Sequence, residues 1–185
     1  MKTITISLAL ALSLVACKKG EDKAGGAGAA KAADKPATAP AWKKVPSMGI
    51  EVEVAADADV QDNTASSGFP SSTIYSSAAP TTFIFGHKGD LAESMTLSKD
   101  FEATKARVQK EHSGFKAFTK EESGADGTFD LRYSGADMIE KTKTLYGVTI
   151  RSKVGDLVLD CQTNASSEAE IEQTVKICKS IRAAK

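Results

Sequence analysis

Apolar and polar positions divide this chain into three stretches. Thr3 to Ala16 form an uncharged run rich in Leu, Ala and Ile behind Lys2. Residues 18–41 are Lys, Ala, Gly, Asp, Pro and Thr, with almost no large apolar side chain. From Trp42 onward apolar positions recur with the periods of strands and helices. Ile50-Glu51-Val52-Glu53-Val54 alternates apolar with acidic, which predicts a half-buried strand. Residues 55–72 read as a long polar connection. Thr73–Tyr75 and Thr81–Phe85 predict two strands around a turn at Ala78-Ala79-Pro80, and Gly86–Asp90 predicts a further turn. A helix follows, with Ser98 as N-cap, Asp100 and Glu102 in its first turn, and Phe101, Thr104 and Val108 as its inner stripe. It runs to about His112 and stops at Gly114.

Four more strands are predicted at Phe115–Lys120, Thr128–Ser134, Lys143–Arg151 and Asp156–Gln162. Turns are expected at Glu122–Gly127 and Val154-Gly155-Asp156. The second of these strands puts Phe129, Leu131 and Tyr133 on one face. The last element is the best-marked helix. Ser167-Glu168-Ala169-Glu170 is a capping box, in which the Ser167 hydroxyl accepts from the backbone and Glu170 reaches back to the cap. Ile171, Val175, Cys178 and Ile181 or Arg182 follow on one face at helical spacing.

The N-terminal run has the layout of a secretory signal: a basic start, a short apolar centre and a small residue at the cut. It is shorter than the roughly 20 apolar residues that span a bilayer. Leu14-Val15-Ala16-Cys17 resembles the lipobox of bacterial lipoproteins. That resemblance implies cleavage after residue 16 and a diacylglyceryl group on the Cys17 thiol. It also implies acylation of the new N-terminus, palmitate being a usual chain. Two or more acyl chains hold a protein stably at a membrane. Lys18 stands where Asp marks inner-membrane retention in the enterobacterial sorting pattern, so the chain resembles the outer-membrane class, facing the periplasm. The resulting organisation is a cleaved signal at 1–16, lipidated Cys17 with a flexible linker to residue 41, and a periplasmic domain at 42–185. The linker composition cannot bury enough apolar surface to fold, and its mean reach is about 25–30 Å.

With Cys17 assigned to lipid, Cys161 and Cys178 remain. An oxidising compartment allows them one pairing, and the alternative is two free buried thiols. Cys178 falls on the inner face of the last helix and Cys161 in the preceding strand, which favours a bridge pinning that helix to the sheet. The loop is worth about 3 kcal/mol in the chain-entropy view.

The element order is strand, long loop, strand pair, helix, antiparallel meander and C-terminal helix. With Val45-Pro46-Ser47-Met48-Gly49-Ile50 at one end and Cys178-Lys179-Ser180-Ile181 at the other, it resembles the PsbP/Mog1-like α/β/α sandwich over most of residues 43–185. The resemblance implies a single α+β domain with a central, mostly antiparallel sheet flanked by helices. It also implies a role in binding or assembly. The Ser/Ala-rich stretch Ala65–Ala79 departs from the group's proline-then-aromatic second strand, and no site motif is matched.

Charge narrows the partners. Residues 18–44 hold seven Lys and three acids, whereas residues 45–185 hold 16 basic and 21 acidic residues. A mildly acidic domain offers no electrostatic footprint for nucleic acid. Candidate chemistry is sparse. His87, in a Gly-flanked turn, and His112, at a helix end, share no ligand spacing and read as surface residues. Asp57, Asp59 and Asp62 alternate as in calcium loops but lack the glycine and terminal Glu of that motif. No nucleophile elbow or phosphate-cradling loop occurs within the domain. Asn164 reads as the entry to the last helix. No catalytic residue, cofactor or metal is therefore expected. The expected function is that of a non-catalytic module contacting membrane lipid through Cys17 and an envelope protein through its domain. The alternatives are an envelope-maintenance factor that binds peptidoglycan or lipid, and a hydrolase whose site is dispersed in sequence. Trp42 and Phe69 lack an obvious element to bury them. Each either plugs the end of the sheet or offers a partner contact.

Overall fold

The computed structural model describes residues 39–89, 97–112 and 114–185. The Leu14–Cys17 lipobox, the signal run and most of the linker lie outside the described residues. Among those described, no helix is long and apolar enough to cross a membrane.

Alternating sequence and tight turns build two antiparallel sheets. β1 (Pro40–Val45), β2 (Ile50–Ala55) and the short β10 (Arg182–Ala183) form a three-stranded sheet in the order β1-β2-β10. Gly49, at φ +64, closes the β1–β2 connection with its N–H on the Pro46 carbonyl. The larger sheet has the order β3-β4-β5-β9-β8-β7-β6. Its strands are β3 (Asp59–Asp62), β4 (Ser71–Tyr75), β5 (Thr82–Lys88), β6 (Phe115–Ser123), β7 (Phe129–Ala136), β8 (Thr144–Val154) and β9 (Leu157–Ala165). β8 and β9 are joined by the two residues Gly155-Asp156, and Gly155 takes the positive φ that a tight hairpin of this hand requires. The helices are α1 (Thr64–Ser67), α2 (Phe101–Glu111) and α3 (Glu168–Ser180).

The two faces of the large sheet follow from the period of two along each strand. On one face Ile74, Ile84, Val148, Ile150, Leu159 and Cys161 share a core with Val52 and Val54 of β2 and with Ile171, Val175 and Cys178 of α3. α3 touches β2, β8 and β9, so it is packed between the sheets. Its capping box forms as expected, and Ser180 Oγ accepts from Glu53 N–H of β2 at 2.9 Å. Cys161 and Cys178 are bonded, with Cα atoms 5.6 Å apart, so the C-terminal helix is pinned to β9. On the opposite face Phe129, Leu131 and Tyr133 of β7 pack with Val108 of α2. The architecture is the expected α+β one, a mostly antiparallel sheet flanked by helices.

Local boundaries differ where backbone pairing overrides composition. β1 begins at Pro40, so the first two residues of the strand fall in the stretch read as linker. The polar connection 55–72 contains β3 and α1. β3 pairs with β4 although only Val60 among its side chains is apolar, and Asp62 accepts from Ser47 N–H, Ser47 Oγ and Thr64 N–H. Gly86-His87-Lys88 continues β5 instead of turning. A Cβ on Gly86 would lie 3.0 Å from Pro70 Cβ, so this glycine serves a close approach. Asp100, not Ser98, caps α2 by accepting from Ala103 N–H at 2.9 Å.

Candidate functional site

Strand registry lays out the face of the large sheet that carries α2. Along one row Thr73, Phe83, Gln162, Thr149 and Leu131 are successive cross-strand partners. A parallel row runs Ser71, Phe85, Asp160, Arg151 and Phe129, and a third joins Asn164, Gly147 and Tyr133. α2 and the residues before it cover the β7 end of these rows. Phe101 lies 5.4 Å from Phe129, and the Arg151 guanidinium stacks 4.7 Å from the Phe129 ring. Arg151 donates to Asp160 through two bonds of 2.7 and 2.8 Å and to the Ser98 carbonyl at 2.8 Å. Burial pushes the Asp160 carboxyl up, and the Arg151 bonds oppose that push. This buried pair ties the approach to α2 down onto the sheet.

Toward β5 the same face becomes aromatic and open. Phe83 is 40% exposed and Tyr75 is 46% exposed. The Phe83 and Phe85 rings are near parallel with centroids 6.4 Å apart, and Phe69 packs 6.2 Å from Phe85. Between this row and the last turn of α2 runs a groove of about 450 Å³, which contains Arg107, Glu111, His112 and Thr149. It shares Tyr133, Gln162 and Asn164 with a second depression of about 270 Å³ that ends on Phe83 and Phe85. The polar centre is a small network. Asn164 Oδ1 accepts from the Tyr133 hydroxyl at 3.1 Å and, when Nε2 carries the proton, from His112 at 3.2 Å. His112 meets Tyr133 edge-on at 4.8 Å. Burial pushes the Tyr133 phenol up to about 12, Arg107 opposes this and Glu111 adds to it. The hydroxyl therefore stays protonated at neutral pH as a hydrogen-bonding group. Tyr133 lies flat across Gly147, where a Cβ would come within 2.1 Å of its ring.

The residues singled out by sequence fall in different places. Phe69 joins the aromatic row through Phe85. Trp42 sits on β1 of the other sheet, 40% exposed, with Arg182 over its ring at 3.4 Å and Arg182 paired to Glu51 at 2.8 Å. No described contact brings Trp42 to Phe69. Asp59 and Asp62 turn to Gln61 and Ser47, and Asp57 accepts from Ser77. Among the described residues no three His, Cys, Asp or Glu side chains converge to hold a metal ion. Asn164 is the penultimate residue of β9 and faces the groove, not the entry to α3. His112 ends α2, as expected, but is engaged by Asn164 and Tyr133. Phe83, Phe85 and Gln162 were missed. Their signal was present: in Thr82-Phe83-Ile84-Phe85 both alternating sets carry large apolar residues, so the strand is apolar on both faces.

No described protein family and no curated protein matches the chain in sequence. Solved structures resemble it, these two among them. One is the solution structure of cyanobacterial PsbP (CyanoP) from Synechocystis, with a TM-score of 0.48 and 8% identity, covering 86% of this chain and 98% of that one. The other is a crystal structure from Bacteroides thetaiotaomicron, with a TM-score of 0.41 and 11% identity, covering 74% of this chain. The match spans 46% of that second protein, so this chain corresponds to about half its length. Neither likeness assigns a residue or an activity.

Proposed function

We propose that this chain is a lipid-anchored periplasmic binding module, held at the outer membrane through acylated Cys17. In this reading it engages an extended, largely apolar segment of an envelope protein on the open face of the large sheet, without catalysis or cofactor. The observation that carries the reading is the exposed aromatic row of Tyr75 and Phe83 beside Phe85 and Phe69, continuous with the Tyr133–Asn164 groove. Exposed large apolar side chains in a group mark an interaction site. The rings supply apolar contact. The Gln162 and Asn164 amides supply the donors and acceptors that a peptide backbone needs. The neutral Tyr133 phenol, the Asn164 amide and the His112 ring form a hydrogen-bonding recognition set.

Photo-crosslinking of the full tethered protein in cells tests this. A crosslinker at Phe83 captures one envelope protein reproducibly, whereas one at exposed Lys176 on α3 does not. Equal capture from both positions, or none from Phe83, rejects the face. The anchor has its own test: Cys17→Ala leaves the membrane after a salt wash, and retention of that variant rejects lipidation. A second reading, a peptidoglycan strand on the same rings, is favoured by the amides flanking the exposed phenyl face. Co-sedimentation with purified cell wall, lost on Phe83→Ser, selects it.

A further inference from the structure

Among the described residues the most exposed large apolar side chains stand at the tip joining β7 to β8, where Met138 also borders the groove and Ile139 projects beyond it. Met138 is 73% exposed and Ile139 is 93% exposed. The tip is held open by its own hydrogen bonds. Asp137 Oδ1 accepts from Ile139 N–H at 2.7 Å and from Glu140 N–H at 2.8 Å, and Asp137 N–H donates to the Lys143 carbonyl at 3.1 Å. The acids there are occupied: Asp137 by backbone, and Glu140 by Lys143 at 2.7 Å. Lys141 is exposed beside them. Lys110, in the last turn of α2, and Lys116, near the start of β6, are also exposed, on elements that reach the same end of the sheet through the Gly114–Ala136 backbone pair.

From this arrangement we propose that the β7–β8 tip is a membrane-contact element, in which Met138 and Ile139 enter the interface of an anionic phospholipid bilayer while nearby lysines face its phosphates. The inference rests on the anchored reading above. Two side chains on a convex tip fall far short of the roughly 800 Å² per partner that a specific protein complex buries. A fluid bilayer needs no complementary pocket, and each buried aliphatic side chain strengthens partition by roughly tenfold or more. A tether at Cys17 supplies the local concentration that makes so small a contact effective. Residues 18–39 reach at most about 75 Å when fully extended. A domain of this size has a radius of gyration of roughly 15 Å, so the tether does not prevent the tip from facing the membrane.

The test uses the full lipidated protein reconstituted in phosphatidylethanolamine and phosphatidylglycerol vesicles. Ile139→Cys is labelled with an environment-sensitive thiol dye and compared with Ala125→Cys, in the β6–β7 turn at the opposite end of the strands. Cys161 and Cys178 are bonded and buried, so with Cys17 acylated the introduced thiol is the sole target. The expected result is emission shifted to shorter wavelength and quenching by lipid-borne quencher at 139, with neither at 125. The shift shrinks in phosphatidylcholine vesicles. Water-like emission at both positions in membrane-bound protein overturns the tip and leaves the anchor standing. A shift in native membranes but not in protein-free vesicles assigns the tip to a protein partner and overturns the lipid proposal. If the unsubstituted protein itself takes the dye and washes off the vesicles, the anchored reading fails, and the tip proposal with it.

Discussion

The two faces of the seven-stranded sheet are built from the same strands but differ in kind. The face under α3 is mainly aliphatic beneath the helix, with the Cys161–Cys178 bond fixing its cover, and is flanked by the charged Asp130–Arg132 edge and a depression of about 590 Å³ beside Ile150 and Cys178. The face under α2 is aromatic, covered among the described residues chiefly toward β7, and organised by a buried ion pair and an amide–phenol network. Aliphatic side chains without polar atoms fill a closed core without leaving partners unmet. Aromatic rings and amides tolerate a wet, half-open surface, because each combines contact area with hydrogen bonding at its edge. The face under α3 holds the larger closed core, and the open face is the one proposed above for recognition.

The largest effect is expected at the buried ion pair beneath α2. Arg151→Ala leaves Asp160 buried and uncompensated, and is expected to cost about 3–5 kcal/mol in chemical denaturation. A cost below that of a surface substitution would mean that the pair does not organise the face. On the closed face, replacing Cys161 and Cys178 together by Ala removes a bridge between residues 17 apart in sequence. It is expected to lower stability by about 3 kcal/mol while leaving partner capture at Phe83 intact. Loss of capture in a folded variant would show that the two faces are coupled.

Gly147→Ala probes the groove itself. The new methyl must displace the Tyr133 ring, at a cost of about 1–3 kcal/mol, and should abolish binding out of proportion to that cost. An unchanged Tyr133 environment in near-ultraviolet circular dichroism would contradict the packing.

Acid should act on the α3 side. Burial raises the Asp130 carboxyl, but Arg132 and Lys120 outweigh it and hold the group below its ordinary 3.8. The Ser166 bonds likewise hold Glu170 below 4.5. A depressed folded pKa contributes stability that is present above the unfolded value and is lost as pH falls through the folded one. A denaturation series from pH 7 to pH 2 should therefore show stability declining below about pH 5. Asp130→Asn should flatten that decline, and an unchanged slope would remove this network from the account. The smallest effect on stability is expected from Phe83→Ser, within about 0.5 kcal/mol for so exposed a position. Its capture of partner should nevertheless disappear, and a variant that binds normally would return the aromatic row to ordinary surface.

Much of the closed face was legible in the chain. The alternation of β2, the helical stripe of α3, its capping box and the placing of Cys178 opposite Cys161 are all local or nearly local patterns. Period and cap chemistry report such patterns directly. The same holds for Phe129, Leu131 and Tyr133 as one face of β7. The site was less legible. Phe83, Gln162 and Tyr133 come from three strands. Whether they meet depends on the order β5-β9-β8-β7, in which a strand from the early half of the chain is inserted beside one from the end. Nothing within any single segment encodes that adjacency.

By itself the sequence determined the mostly antiparallel α+β character, the capped C-terminal helix and the placing of Cys178 toward Cys161. Each depends on composition, period or short spacing. Tertiary structure alone decided that Arg151 and Asp160 are a buried pair, that Asn164 faces the Tyr133 groove, and that Gly86 and Gly147 serve close approach. It also decided that Phe69 joins Phe85 while Trp42 goes to another sheet. Those outcomes rest on which strands become neighbours and which face each covering helix leaves open. Both are settled by the burial of the whole chain, not by the preference of any one segment.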